Sequence, residues 1–295
     1  RFFPFNKGYH MGAGNPPVHK LSKRFANSYL WEEVWSRDSV LNLLQKFIRF
    51  YDVLDDEGRR TGAKELIFPR YHQLTAVREL VADAREQGPG QRYLIQHSAG
   101  SGKTFTIAWL AHQLSTLHDD EDNLVFDSVV VISDRRVLDR QLQQAVRDFE
   151  QKRGVVENID QTSAQLQQAL EEGRRIIVST LQKFPVISRT IGELSGNTFA
   201  VIVDEAHSSQ SGTSVKELNR ALSVEQDPQE EEPQDMEDVM VEEMALRRHL
   251  PNVSSFAFTA TPKEKTLQLF GEKQPNGSFQ PFSLYPMRQA IEEGF

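Results

Sequence analysis

The stretch IQHSAGSGKT, residues 95–104, decides how the rest of the chain is read. A strict phosphate-binding loop has Gly, four residues, then Gly-Lys-Ser/Thr. Counting back from Gly102-Lys103-Thr104 puts the first glycine at position 97, where this chain has His97. The surroundings are nevertheless those a phosphate loop needs. A short apolar run, Tyr93 to Gln96, precedes it, and a helical pattern from Thr104 to Leu117, apolar at 107, 110, 111 and 114, follows it. Gly100 and Gly102 let the backbone curl so that its N–H groups point inward, and the helix N-terminus adds partial positive charge. Lys103 is then placed for the β- and γ-phosphates of ATP and the Thr104 hydroxyl for Mg2+. Gly100, Ser101, Gly102, Lys103 and Thr104 form the candidate nucleotide site.

Outward from the loop, four more apolar runs resemble Tyr93–Gln96: Ser128–Ser133, Ile176–Ser179, Phe199–Val203 and Ser255–Thr259. Each is rich in β-branched or aromatic residues without clean alternation, as expected of strands buried on both faces. A second helical pattern, Arg136–Phe149, is apolar at 138, 142, 146 and 149. Strands alternating with helices predict an α/β domain with a parallel sheet and helices on both faces, over residues 62–270. Residues 28–54 read as an amphipathic helical region whose aromatics pack against a neighbour. With residues 1–61 they form a helical linker ahead of the domain, and 271–295 a second linker.

Composition sets limits. No run of 18 or more apolar residues occurs, so no membrane-spanning helix is expected. The opening RFFPFNKGYHMGAGNPP lacks the basic start and apolar run of a signal peptide. Cysteine is absent, which rules out disulfides and thiolate metal sites and suits the cytoplasm. The net charge is −8, but residues 225–243 hold ten acidic and no basic side chains, so removing them leaves +2. That segment reads as a solvated insertion, with a DNA-mimicking or partner-docking loop as the alternative. Overall acidity is therefore no argument against a polyanionic partner.

VIVDEAH, residues 201–207, is the second informative string: an apolar strand ends in adjacent carboxylates. Neighbouring strand residues point in opposite directions, so two carboxylates serve one site only where the strand ends and the chain turns. There Asp204 is placed to hold Mg2+ through water and Glu205 to polarise an attacking water.

With GSGKT followed by DEAH, the sequence resembles the superfamily 2 helicases and translocases. SFAFTATP, residues 255–262, matches that superfamily's motif III, which the resemblance assigns, with His207, Thr259 and Thr261, to coupling the nucleotide site to nucleic acid. The same resemblance makes His97 tolerated variation, because only the glycines next to the phosphates are required. FPRYHQLTAV, residues 68–77, lies where these motors carry a Q motif: Gln73 would read the adenine edge, and Arg70 or Tyr71 would stack on the ring. VVVISDRRVLDRQ (129–141) and IIVSTLQKF (176–184) resemble DNA-contact motifs, in which Arg135, Thr180, Gln182 and Lys183 would touch phosphates without reading sequence. Each of these residues taken singly suits a surface or capping role nearly as well.

The full series, FFPFNKG, GAGNPP, YLWEEVWSRDSVLNLLQKFI, RYHQ, HSAGSGKT, SDRRVLDRQ, STLQKF, DEAHSSQ and TATP, resembles the motor subunit of type I restriction-modification enzymes over nearly the whole chain. One departure is Ser208, where that family commonly has Arg after DEAH. The resemblance implies a P-loop, RecA-like first motor domain that uses ATP and Mg2+ to translocate double-stranded DNA. It also implies specificity and methyltransferase subunits as partners, no membrane, and a nuclease and a second motor domain outside these 295 residues. No convincing Asp…Glu-x-Lys nuclease arrangement is read here, and Lys64-Glu65 has the wrong order. The alternatives are a repair or RNA helicase of the same superfamily, which lacks the FNKG…GAGNPP…LWEEV lead-in, and a non-catalytic ATP-binding module.

Overall fold

All five apolar runs become strands of one sheet in the computed structural model, which describes residues 30–55, 59–133, 136–150, 154–158, 163–180, 183–204 and 250–293. The acidic segment 225–243 lies outside the described residues. The lead-in forms helix through Leu30–Val34, α1 (Arg37–Asn42) and Leu43–Phe47. Helix then stops earlier than its amphipathic pattern suggests. Arg49 to Leu54 is strand β1, paired antiparallel with β2 (Arg60–Ile67). The run RFYDVL carries two aromatics and a β-branched valine, and a partner strand lies six residues on, so the extended form wins.

The sheet itself follows. α2 (Tyr71–Gln87) leads to β3 (Arg92–His97), α3 (Lys103–Leu114), β4 (Ser128–Ser133), α4 (Arg136–Asp148), β5 (Val156–Asn158) and α5 (Ser163–Glu171). Then come β6 (Ile176–Thr180), α6 (Phe184–Glu193), β7 (Phe199–Val203), β8 (Val253–Thr259), α7 (Glu264–Phe270), a small hairpin of β9 (Glu272–Lys273) and β10 (Phe279–Gln280), β11 (Ser283–Tyr285) and α8 (Met287–Glu292). Seven strands join in the order β11-β3-β8-β7-β4-β6-β5, every neighbouring pair parallel. Two of these, β5 and β11, escape the sequence pattern because each is only three residues long. β11 also carries the sheet past residue 270, the boundary read from sequence.

Strand parity divides the core into two. Val129, Val131, Ala200, Ile202, Phe256 and Phe258 face α2, α3 and α4. Val130, Ile132, Val201, Val203 and Ala257 face the other way, onto α5, α6 and α7. This is the period of two at work, and β4 and β7 are buried along their whole length because both faces are covered.

The lead-in is fastened to the first of these layers. Phe47 is fully buried against Trp109, their rings 5.7 Å apart, and Trp109 Nε1 donates to the Phe47 carbonyl at 2.7 Å. Arg78 on α2 donates to Asn42 Oδ1 at 2.8 Å and to Ser39 Oγ at 3.0 Å. The expected aromatic packing therefore holds for Phe47 and for Trp35, whose ring stacks on Phe68 at 6.5 Å, although Trp31 and Trp35 remain about half exposed. No helix among the described residues is long and apolar enough to cross a membrane.

Candidate nucleotide site

The strand order places the motif residues on one edge. Ligand crevices in open parallel sheets lie beyond the carboxyl ends of the strands, where successive connections diverge. Here β3 connects to β4 across β8 and β7, so the carboxyl ends of β3, β8 and β7 stand side by side. With strands about 4.8 Å apart, β3 and β7 lie about 10 Å from each other.

The loop from Ser98 to Gly102 curls between β3 and α3. Gly100 has φ 75° and Gly102 φ 81°, left-handed values that side-chain-bearing residues rarely adopt. A side chain on Gly100 would meet open space, whereas a Cβ on Gly102 would lie 2.6 Å from Gln73 Nε2. Lys103, the first residue of α3, is buried, and its ammonium donates to the carbonyls of His97 at 3.3 Å and Ser98 at 3.4 Å. The N–H groups of Lys103 and Thr104 have no acceptor within the helix, whereas that of Phe105 donates to the Gly102 carbonyl at 3.2 Å. Thr104 follows Lys103 in that first turn.

The start of α2 braces this loop from the side. Gln73 is buried, and its Nε2 donates to the carbonyls of Gly102 at 2.9 Å and Ser101 at 3.3 Å. Its Oε1 accepts from the Arg70 backbone N–H at 2.8 Å, a cap on α2. Both ends of the amide that the sequence suggested for the adenine edge therefore engage the protein. Arg70 reaches the Gly100 carbonyl at 3.4 Å, whereas Tyr71 opens α2 and packs against the hydrophobic core.

The remaining candidates sort by strand. Asp204 directly follows β7, buried, with its backbone N–H donating to the Ile132 carbonyl at 2.8 Å. Thr259 ends β8, fully buried, and its Oγ1 accepts from the Thr261 N–H at 3.3 Å. It is in register with Gln96, which places it between the phosphate loop and Asp204. Thr180 ends β6 and Lys183 precedes α6, so both lie on the same rim but two strands beyond β7. Glu205, His207, Arg135 and Gln182 lie outside the described residues.

The donor set suits a nucleotide's phosphates. Ser98 Oγ and Ser101 Oγ are buried with no hydrogen-bond partner among the described residues, a cost that an added acceptor would remove. Beside them stand the lysine ammonium, a helix N-terminus and an open face over Gly100. One carboxylate, that of Asp204, stands two strands away on the same edge, where a phosphate-bound Mg2+ takes one or two protein carboxylates.

Two features were not legible in sequence. His72 Nε2 lies 3.0 Å from the Ser101 carbonyl, so that nitrogen carries the proton. Its ring stacks on Tyr285 of β11 at 3.7 Å and 12°. Burial, with Arg70 adding a smaller push, lowers its pKa to about 4, against the Ser101 hydrogen bond, which raises it. His97 is fully buried with its Nε2 3.0 Å from Ser283 Oγ, and burial, then His72 and Lys103, hold its pKa well below the usual imidazole value. His97 thus fills the joint between β3 and β11 and stands behind the phosphate-facing part of the loop. His72 adjoins Gln73 in the sequence, but nothing there points to a partner 29 residues away.

The sequence profile described as SWI2/SNF2 ATPase matches residues 72–295, which takes in β3, β7, β8 and the loop. A Methanocaldococcus jannaschii protein named as the type I restriction enzyme MjaVIIIP endonuclease subunit is 27% identical over 237 residues. That alignment covers 70% of this chain and 22% of the relative, so the chain spans about a fifth of that protein's length. Among solved structures, a nuclease-deletion mutant of the type ISP restriction-modification enzyme LlaGI in complex with a DNA substrate mimic is similar at TM-score 0.42 and 18% identity, covering 67% of this chain and 18% of that one. The UvsW helicase of bacteriophage T4 is similar at TM-score 0.41 and 16% identity, covering 83% and 66%. With a phosphate loop, a DEAH strand and the intervening Thr-Ala-Thr strand side by side on a parallel sheet, the chain belongs to the SWI2/SNF2 ATPase family.

Proposed function

We propose that these residues form the first motor domain of a DNA translocase of the type I restriction kind, in which ATP hydrolysis moves double-stranded DNA. The observation that carries the reading is the adjacency of β3, β8 and β7, which sets Thr259 between the loop of Lys103 and the carboxylate of Asp204. The type I part of the reading draws support from the relative of that name and from the motif series in the sequence.

In this reading Lys103, the Gly100–Gly102 backbone and the two buried serine hydroxyls hold the phosphates. Thr104 and Asp204 hold Mg2+, and Glu205 orients water. Bound Mg2+ would neutralise charge developing on the transferred phosphoryl group. Gln73, Arg70 and Tyr71 border the base. Gln73 would read adenine only by giving up a bond to the loop, so its first role is to brace Ser101 and Gly102. Thr259, Thr261 and His207 pass the state of the site to DNA held by Arg135, Thr180, Gln182 and Lys183. Residues 1–61 would join the motor to a nuclease, 62–270 would be the motor domain, and 271–295, which lends β11 to its sheet, would lead on toward a second one. Specificity and methyltransferase subunits would complete the assembly in the cytoplasm.

An arginine from a second motor domain is worth about 10³ to 10⁵ in rate. The 295-residue chain is therefore expected to bind a fluorescent ATP analogue with Mg2+ yet to show negligible DNA-stimulated hydrolysis. Lys103→Ala is expected to abolish that binding while the fold, followed by circular dichroism, is retained. Robust DNA-stimulated turnover by this chain alone would overturn the division of labour. Assembled with its partners, the whole enzyme should displace a triplex-forming strand from intact duplex, and RNA unwinding in its place would favour a superfamily 2 helicase.

A further inference from the structure

β11 does more than close the sheet. It is three residues long, yet it touches the phosphate loop at both ends. The Ser98 N–H donates to the Tyr285 carbonyl at 2.9 Å, and Ser283 Oγ meets His97 Nε2 at 3.0 Å, which fixes the loop's first residues. The far end is reached through a relay. Tyr285, 1% exposed, presents its ring face to His72, and His72 donates to the Ser101 carbonyl immediately before Gly102 and Lys103. The Tyr285 hydroxyl donates to Glu293, just after α8, at 2.8 Å. A stacked ring leaves an imidazole only in-plane freedom, so the Tyr285 face sets the direction in which His72 donates.

We infer that Tyr285 and His72 are positioning residues for nucleotide binding, and that β11 and α8 are thereby tied to the phosphate loop. Neither side chain touches nucleotide. They hold the Ser101 carbonyl outward, so that the backbone N–H groups and the Ser101 hydroxyl stay turned toward phosphate. A loop held in its binding shape before the ligand arrives loses less freedom on binding. Displacement of β11 would loosen Ser98 and Ser101 together, which makes this strand a route by which segments beyond the sheet act on nucleotide affinity. The inference rests on the nucleotide-binding reading above.

The test is a double-mutant cycle on the full 295-residue chain, read by titration with a fluorescent ADP analogue and, separately, by thermal melting. Tyr285→Leu removes the ring face while keeping bulk, and His72→Phe keeps a ring against Tyr285 but removes the donor. One hydrogen bond to the loop corresponds to about a two- to tenfold change in affinity. Each substitution is expected to weaken binding by that factor, and the pair together by no more than the larger single effect, because they cut one relay. Tyr285→Phe, which keeps the ring, is expected to bind as the parent does. A purely structural role for Tyr285 would lower the melting temperature without moving affinity, and that result overturns the inference. So do affinity losses that simply add. Should Tyr285→Leu fail to fold, His72→Phe carries the test by itself: unchanged affinity refutes the relay. Failure of the unsubstituted chain to bind would remove the nucleotide reading itself, whereas tight parental binding with indifferent variants removes only this inference.

Discussion

Gly102→Ala should cost far more than Gly100→Ala, although both glycines occupy the same left-handed region two residues apart. At Gly100, φ is 75° and an added Cβ meets nothing within 4 Å, so the cost is the backbone strain alone, about 1–2 kcal/mol. At Gly102, φ is 81° and the Cβ would fall 2.6 Å from Gln73 Nε2, inside contact distance. The amide must move. It is held by bonds to the Gly102 carbonyl at 2.9 Å, to the Ser101 carbonyl at 3.3 Å and from the Arg70 N–H at 2.8 Å. At about 1 kcal/mol each, losing two or three of these adds about 2–3 kcal/mol, for a total of about 3–5 kcal/mol. Urea denaturation of the full chain gives both values, and the gap between the variants should be about 2–3 kcal/mol with unchanged m-values. In a Gln73→Ala background the clash has no partner, so Gly102→Ala should there cost only about what Gly100→Ala does. Equal costs for the two glycines, or a gap that survives removal of Gln73, would refute the brace between α2 and the loop.

The other expectations concern the groups around that brace. Unfolded His72 takes a proton near pH 6.5, but the folded residue, walled by His97, Arg70 and Tyr285, does so only near pH 4. Its stabilisation is therefore complete above pH 6.5 and is lost as the pH falls toward 4, about 2 kcal/mol of it by pH 5. His97 acts in the same direction. Melting followed from pH 7.5 to 5.0 should fall less steeply in His72→Phe than in the parent, and parallel curves would sink the assignment. Trp109→Phe removes the donor to the buried Phe47 carbonyl and should cost about 2 kcal/mol. Hydrogen exchange should then rise over residues 37–47 first, and unchanged exchange there would show that the lead-in is held by other contacts. The Lys103→Ala and Tyr285→Leu experiments described above complete the set.

The motifs were legible because their chemistry is local. Gly100, Gly102 and Lys103 need only the strand before them and the helix after them, and both show as apolar patterns within about one turn or one strand length. The five strands of the sequence pattern were legible for the same reason: a parallel strand covered on both faces is a near-continuous apolar run, as Val129–Ile132 and Phe199–Val203 are. The lead-in misled at Arg49, where helical periodicity continues through residues that pair as strand. A short antiparallel partner, Arg60–Ile67, supplies hydrogen bonds that a local pattern does not reveal.

What the sequence determined by itself, then, was the α/β class, the order of the phosphate loop, DEAH and Thr-Ala-Thr segments, and the chemistry each residue type can perform. It could not supply the strand order, because adjacency in a parallel sheet is set by crossover connections between segments far apart in the chain. Only the tertiary structure put Thr259 between Gln96 and the strand leading to Asp204. Only it turned Gln73 and His72 onto the carbonyls of Ser101 and Gly102. And only it brought Ser283 and Tyr285, 186 and 188 residues downstream of His97, beneath the loop. Three residues of strand carry almost no signal in composition. Their place is decided by the free edge of β3, whose unpaired backbone groups take whichever strand the fold delivers.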